Sequence, residues 1–209
     1  MKFESKYLIR WGIPGWVLIF WFFYEVIFLK EINPLESNLL QLTKGLTLLF
    51  SLAAIGVPLG YLMHQIYFFV FWVLNKTRDF DEIASKIGNN FPKQDGWGKS
   101  KKEDYYQLEY VWHSVLINQN EETRKYLEGR YRHLLSTIHS LGSLFVSSAL
   151  SIIITVTIAL TNPIEFPFNY YFWTGLIFQL IIFVSAVVNY KYYSDNLKAF
   201  QIKMLKTYL

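Results

Sequence analysis

Apolar residues are distributed along this chain in two ways: as long unbroken runs and as narrow stripes at helical spacing. The runs are Ile13 to Leu29, Leu46 to Asn75, Leu141 to Thr161 and Tyr170 to Tyr190. A bilayer core of about 30 Å takes about 20 apolar residues of helix, so each run is read as a membrane-spanning segment. The second is longer than a bilayer needs and contains Gly56-Val57-Pro58-Leu59-Gly60, which calls for a kink or a tilt. Asn162 to Asn169 joins the third and fourth runs as a short Pro-containing turn. The expected fold is all-α: a four-helix transmembrane bundle with a cytoplasmic helical extension.

The stripes lie outside these runs. Asp81 to Gly88 reads as a short helix, and Asn89 to Lys102 as a loop punctuated by Pro92, Gly96 and Gly98. Glu103 to Asn118 carries Tyr105, Leu108, Trp112 and Val115 at helical spacing. Asn120 followed by Glu121 and Glu122 is a helix start, since the Asn caps free amides and the acids suit the dipole. From there Leu127, Tyr131, Leu134, Ile138 and Leu141 recur at steps of four and three, leading directly into the third run. An unbroken helix from Glu121 to Thr161 would extend ~60 Å, twice the hydrocarbon thickness. The tail repeats the device with Tyr193, Leu197, Phe200, Met204 and Tyr208. Such stripes pack on each other, on Glu103 to Asn118 or on another subunit, or else the tail lies on an anionic leaflet. The organisation is thus residues 1–75 as a first transmembrane hairpin, 76–140 as a cytoplasmic helical region, 141–190 as a second hairpin, and 191–209 as a basic amphipathic tail.

Composition agrees with a membrane class. Of 209 residues, 53% are hydrophobic and 19% aromatic against 17% charged, too few charges to cover a soluble surface. Cysteine is absent, which excludes disulfides, thiolate nucleophiles and Cys-based metal sites. Lys and Arg set the orientation. Eighteen of the 20 lie in the N-terminal flank (Lys2, Lys6, Arg10), in residues 76–140 and in the tail, with only Lys30 and Lys44 in the opposite loops. Both termini and the large loop are therefore expected in the cytoplasm. The first run, with no small-x-small cleavage site after it, is expected to be an uncleaved signal anchor.

Candidate chemistry is sparse. Gly98-Lys99-Ser100 before a helix resembles the end of a phosphate-binding P-loop, but Lys93 stands where the first glycine belongs and no apolar strand precedes it. Trp97 among Gly96, Gly98, Lys99, Lys101 and Lys102 reads instead as a flexible basic loop able to touch headgroups, nucleic acid or a partner. Arg132 and His139 resemble the Arg-x4-6-His signature of HEPN ribonucleases, which act on an RNA 2'-hydroxyl and phosphate. Glu109 and His113 share a helical face, without a second ligand pair for a metal. Within the spans the polar residues Glu25, His64, Gln65 and Gln179 are functional candidates. By rise per residue, Glu25 and His64 stand at different depths and do not pair. Ser140, Ser143, Ser147, Ser151 and Thr155 form a polar seam in the third span, for close helix packing or for lining a pore.

Four spans, a basic cytoplasmic loop and a helical stalk together resemble, in layout, the small multi-pass membrane subunits of prokaryotic antiviral systems. These include the Kiwa membrane component and the membrane effectors that accompany CRISPR or short Argonaute modules. That resemblance implies a non-enzymatic, homo-oligomeric inner-membrane protein coupled to a soluble cytoplasmic protein partner, with nucleic acid contacted indirectly or through the basic loop. In this reading Leu127, Tyr131, Leu134 and Ile138 form the partner-coupling stripe, and Ser143, Ser147, Ser151 and Thr155 the packing or pore seam. Besides membrane lipids no cofactor or metal is expected. The alternatives are a membrane-tethered HEPN-like ribonuclease using Arg132 and His139, and a channel or transporter subunit dependent on Glu25, His64 or Gln179.

Overall fold

A computed structural model describes residues 5–29, 42–74, 80–161 and 168–209. Among them are six α-helices: α1 Ser5–Leu29, α2 Leu42–Phe68, α3 Asp81–Ile87, α4 Lys101–Ile117, α5 Glu121–Thr161 and α6 Tyr170–Tyr208. A π-helical turn, Phe69–Val73, continues α2. The expected all-α class holds, and three helical stretches, Ser51–Val73, Glu121–Thr161 and Tyr170–Tyr208, are long and apolar enough to cross a membrane. Lys2, Lys30, Asn75 and the Asn162 to Pro167 part of the turn lie outside the described residues.

Helix starts follow local chemistry. Ser100 accepts from the Glu103 amide at 3.4 Å, the first half of a Ser-x-x-Glu capping box, and so begins α4. Asn120 accepts from the Thr123 amide at 2.9 Å and begins α5 as expected. Asn169 takes the amides of Tyr171 and Phe172 at 3.1 and 3.2 Å and begins α6. Gly88 ends α3 with a φ of 88°, a conformation that favours glycine. α6 does not stop at Tyr190 but runs on through the lysine-bearing tail as one helix.

The chain forms two compact units, Met1–Tyr67 with Ser140–Asn189, and Phe68–His139 with Tyr190–Leu209. In the first, α1 and α2 meet at glycines. A Cβ on Gly15 would strike the Gly56 carbonyl, and one on Gly60 the Trp11 carbonyl, so only glycine allows this approach. The indole of Trp16 donates to the Ala53 carbonyl at 3.2 Å across the same contact. Burial in this unit is inverted relative to a water-soluble core. Ser147, Ser148, Ser151, Thr155 and Gln179 are inside, while Ile153, Leu160, Ile177, Phe178, Val184 and Val188 are exposed.

The second unit has the ordinary arrangement, with one apolar core. Leu108, Val111, Trp112 and Val115 of α4 meet Leu127, Tyr131, Leu134 and Ile138 of α5, Ile83 and Ala84 of α3, and Leu197 and Leu205 of α6. Trp112 is fully buried, tilted against Tyr131 with ring centroids 5.1 Å apart and edge-on to Phe200 at 5.7 Å. Among the alternatives for the stripes, the tail and α5 thus pack on each other and on α4.

Candidate functional site

The intramembrane candidates of the first unit converge in part. Glu25 of α1, Thr155 of α5 and Gln179 of α6 are separated by as many as 154 positions in sequence, yet form one buried network. The Thr155 hydroxyl donates to Glu25 Oε1 at 2.9 Å, and Gln179 Nε2 donates to Thr155 Oγ1 at 2.9 Å. Gln179 Oε1 lies 3.3 Å from the same hydroxyl. His64 lies elsewhere, with Nδ1 3.2 Å from Ser143 Oγ. Ser143 and Thr155 are twelve residues apart on α5, about 18 Å of rise, so Glu25 and His64 hold different levels of one helix.

The Ser seam is turned inward. Ser147 donates to the Pro14 carbonyl of α1 at 2.5 Å, and Ser151 to the Ser147 carbonyl at 2.9 Å. Gly142 completes this face, because a Cβ there would overlap the Tyr67 ring of α2. Side chains this buried within one chain are used for helix contact, and their hydroxyls do not line an open path.

In the second unit the stripe of Leu127, Tyr131, Leu134 and Ile138 is interior, each side chain 7% exposed or less. This corrects the expectation that it meets a partner directly: helical spacing identifies residues that share a face, and here α3, α4 and α6 cover that face. The outward aromatic face is on α4, where Tyr106, Tyr110 and Ile117 are all more than half exposed. Their steps of four and seven place them on one face of α4, opposite the stripe of Leu108, Trp112 and Val115 that enters the core.

The loop before α4, which composition marks as a basic segment, is bonded to α3 and α4. Trp97 Nε1 donates to Asp81 Oδ1 at 2.8 Å and Lys93 Nζ bonds the same oxygen at 3.0 Å, holding the Asp81 carboxyl below the usual range. Phe91 and Trp97 meet edge to face at 5.0 Å. The Gly98 amide is given to the Asp104 carboxylate at 3.0 Å and Ser100 caps α4, so the resemblance to a P-loop ends in groups that would repel or exclude a phosphate.

The remaining polar groups hold elements together. Glu82 of α3 is bonded by Lys198 of α6 and by Lys86 at 2.8 Å, which lowers its carboxyl to about 2. Burial raises the Glu109 carboxyl, against a 2.5 Å bond from the Tyr131 hydroxyl and the nearby His113. Arg132 pairs with Glu128 on an exposed face, whereas the His139 ring packs on Trp72 with centroids 4.9 Å apart. Each of the two ribonuclease candidates is thus engaged with a different neighbour. A cavity of about 300 Å³ opens between Phe71, Phe80, Ile138, Tyr190, Ser194 and Lys198. The Ser194 hydroxyl is buried without a hydrogen-bond partner among the described residues. Among those residues no group of three His, Asp or Glu side chains is placed to hold a metal.

No protein-family model matches the chain, and neither does any curated protein or solved structure.

Proposed function

We propose that this chain is a four-pass membrane protein in which α1 supplies the fourth span beside the three stretches already identified. Both termini and residues 76–140 lie on the cytoplasmic side, as the distribution of Lys and Arg requires. Inverted burial supports the membrane setting of the first unit: exposed Ile, Val, Leu and Phe suit lipid, and the buried hydroxyls are satisfied by carbonyls of α5 itself, by the Pro14 carbonyl of α1 and by the Glu25 and Gln179 side chains.

Its role in this proposal is non-enzymatic coupling, in which a soluble cytoplasmic protein acts on a homo-oligomer in a prokaryotic inner membrane. One observation carries the reading. α5 supplies Leu134 and Ile138 to the core of the second unit and Ser147 and Thr155 to the interior of the first, and α6 likewise supplies Leu197 and Gln179. A change of packing in the cytoplasmic core therefore acts on helices that also hold the membrane part together. The partner's landing surface is the Tyr106, Tyr110 and Ile117 face, an exposed aromatic patch of the kind that marks protein contacts. The resemblance in layout to antiviral membrane effectors supplies the proposed biological setting.

The test is the mass of the particle extracted gently into nanodiscs through a C-terminal tag, with each co-eluting protein identified. A symmetric oligomer should carry one soluble protein in fixed ratio, lost in the double variant Tyr110→Glu, Ile117→Glu while the oligomer keeps its mass. A monomer, or a companion indifferent to both substitutions, contradicts the reading.

A further inference from the structure

Glu25 is the single Asp or Glu in the four apolar runs, and it is only 4% exposed. A carboxyl withdrawn from water either holds a proton or needs a compensating charge, since the penalty for an uncompensated ion is several kcal/mol. Its hydrogen-bond partner among the described residues is the neutral Thr155 hydroxyl, and no Lys, Arg or His among them pairs with it. Among the described residues its titratable neighbour is the Tyr24 phenol of α1, which donates to the Tyr171 carbonyl at 2.7 Å, with Tyr170 beside Tyr24 at the start of α6. α5 from Leu141 to Thr161 and α6 from Tyr170 to Tyr190 carry no charged residue, and the Lys44 side chain of α2 lies outside the described residues. His64, the other titratable group in the spans, is committed to Ser143, about 18 Å along α5.

Three helices meet at the Thr155 hydroxyl, beside which stand the Glu25 carboxylate of α1 and the Gln179 amide of α6, its nitrogen 2.9 Å away. Thr155 Oγ1 stands 2.9 Å from Glu25 Oε1 and 3.3 Å from Gln179 Oε1. Oxygens at right angles around an ion with bonds of about 2.4 Å stand about 3.4 Å apart, so both spacings from Thr155 Oγ1 are near one edge of a small hard cation's shell, which a turn of the Gln179 amide would complete with its carbonyl oxygen. The donor set carries one negative charge, which matches a monovalent ion; a divalent one would call for further carboxylates. Ala159, one turn after Thr155 on α5, and Phe172, two turns before Gln179 on α6, form an apolar cluster, and Trp21 is buried one turn before Glu25 on α1.

We propose that Glu25, Thr155 and Gln179 form an intramembrane sodium site at which a proton competes for the Glu25 carboxylate. The site gives the buried acid its counter-charge and clamps α1 to α5 and α6 when occupied. This inference requires the first unit to lie in a membrane, but it is independent of a cytoplasmic partner or an antiviral setting.

The full chain in phosphatidylcholine nanodiscs, with incorporation confirmed by particle mass, is treated with dicyclohexylcarbodiimide. This reagent adds a protonated, membrane-buried carboxyl across its C=N bond, and the adduct rearranges to a stable N-acylurea that peptide mass spectrometry locates. Labelling at Glu25 should fall about tenfold with sodium chloride at ten times its dissociation constant, by simple occupancy, and less at lower pH. Potassium or choline chloride at equal concentration should leave it unchanged. Thr155→Val and Gln179→Leu should stay reactive at Glu25 yet lose sodium protection, and Glu25→Gln should not label. Glu25 labelling that ignores sodium, or that falls equally with all three salts, overturns the proposal, as does a correctly incorporated protein in which Glu25 never reacts. Failure to incorporate into the bilayer would instead count against the membrane reading itself.

Discussion

Replacing Leu134 by alanine tests whether the α5 stripe is a core rather than a docking surface. Leu134 is fully buried among residues of α4, α5 and α6, so the truncation removes apolar contact and leaves a cavity that a helix backbone cannot close. Leu to Ala at such sites costs about 2–5 kcal/mol, a large share of the roughly 5–15 kcal/mol that holds a domain together. Taking about 3 kcal/mol and a urea slope of about 2 kcal/mol/M, the unfolding midpoint should fall by about 1.5 M. Pulse proteolysis of the nanodisc-held chain in urea, read by loss of the α4–α5 fragment, gives that midpoint. Tyr110→Ala on the outward face of α4 is the comparison, and should stay within about 0.5 kcal/mol of the parent. A Leu134→Ala midpoint within error of the parent, or an equal loss in Tyr110→Ala, would refute the packing argument.

Gly60→Ala should weaken the α1–α2 contact by about 1–3 kcal/mol in a detergent-denaturation titration, since the new methyl meets the Trp11 backbone. Gly129→Ala, on an exposed turn of α5 with nothing near its missing Cβ, should instead stabilise by about 0.5–1 kcal/mol. The Glu82 carboxyl is lowered to about 2 by Lys198 and Lys86, so its contribution is present above the unfolded carboxylate value near 4.5 and lost as pH falls through about 2. Proteolytic protection of α3 followed down this range should show the loss, and Lys198→Gln should diminish it. Glu109 is shifted the other way by burial, so its contribution is full below the unfolded value and lost as pH rises through its raised folded value. Glu109→Gln, which keeps an acceptor for the Tyr131 hydroxyl, should flatten that part of a stability-against-pH curve and raise stability at its alkaline end.

The helical content was legible because its signals are local. Asn120 and the acids after it mark the start of α5, and the steps of three and four from Leu127 carry it into the apolar run without a break. α6 was harder: the change from apolar to lysine-bearing sequence at Tyr190 reads as a boundary, although no residue there stops a helix. Periodicity assigns residues to faces without saying what covers each face, so the α5 stripe alone does not choose between the tail, Glu103 to Asn118 and a partner, whereas the fold covers it with α3, α4 and α6. Trp97 and its lysines looked mobile by composition, while the partner that holds the indole, Asp81, lies sixteen positions away. The Glu25 network was beyond local pattern altogether. Glu25 and Gln179 stand out singly as polar residues in apolar runs and Thr155 as part of the hydroxyl seam, but their three helices meet only in the fold, where Gly175 of α6 faces the Tyr24 ring of α1 and Ser147 of α5 bonds the Pro14 carbonyl of α1.

The central claim, four spans with the helical unit inside, is tested most directly by single-cysteine labelling, for which a chain without native cysteine is well suited. Cysteines at Ser37, Gln119, Glu165 and Thr207 would be treated with a membrane-impermeant maleimide in intact cells and again after permeabilisation. Positions 37 and 165 should react in intact cells, and 119 and 207 only once the membrane is opened. Reaction at 119 or 207 in intact cells, or protection of 165, would contradict the account.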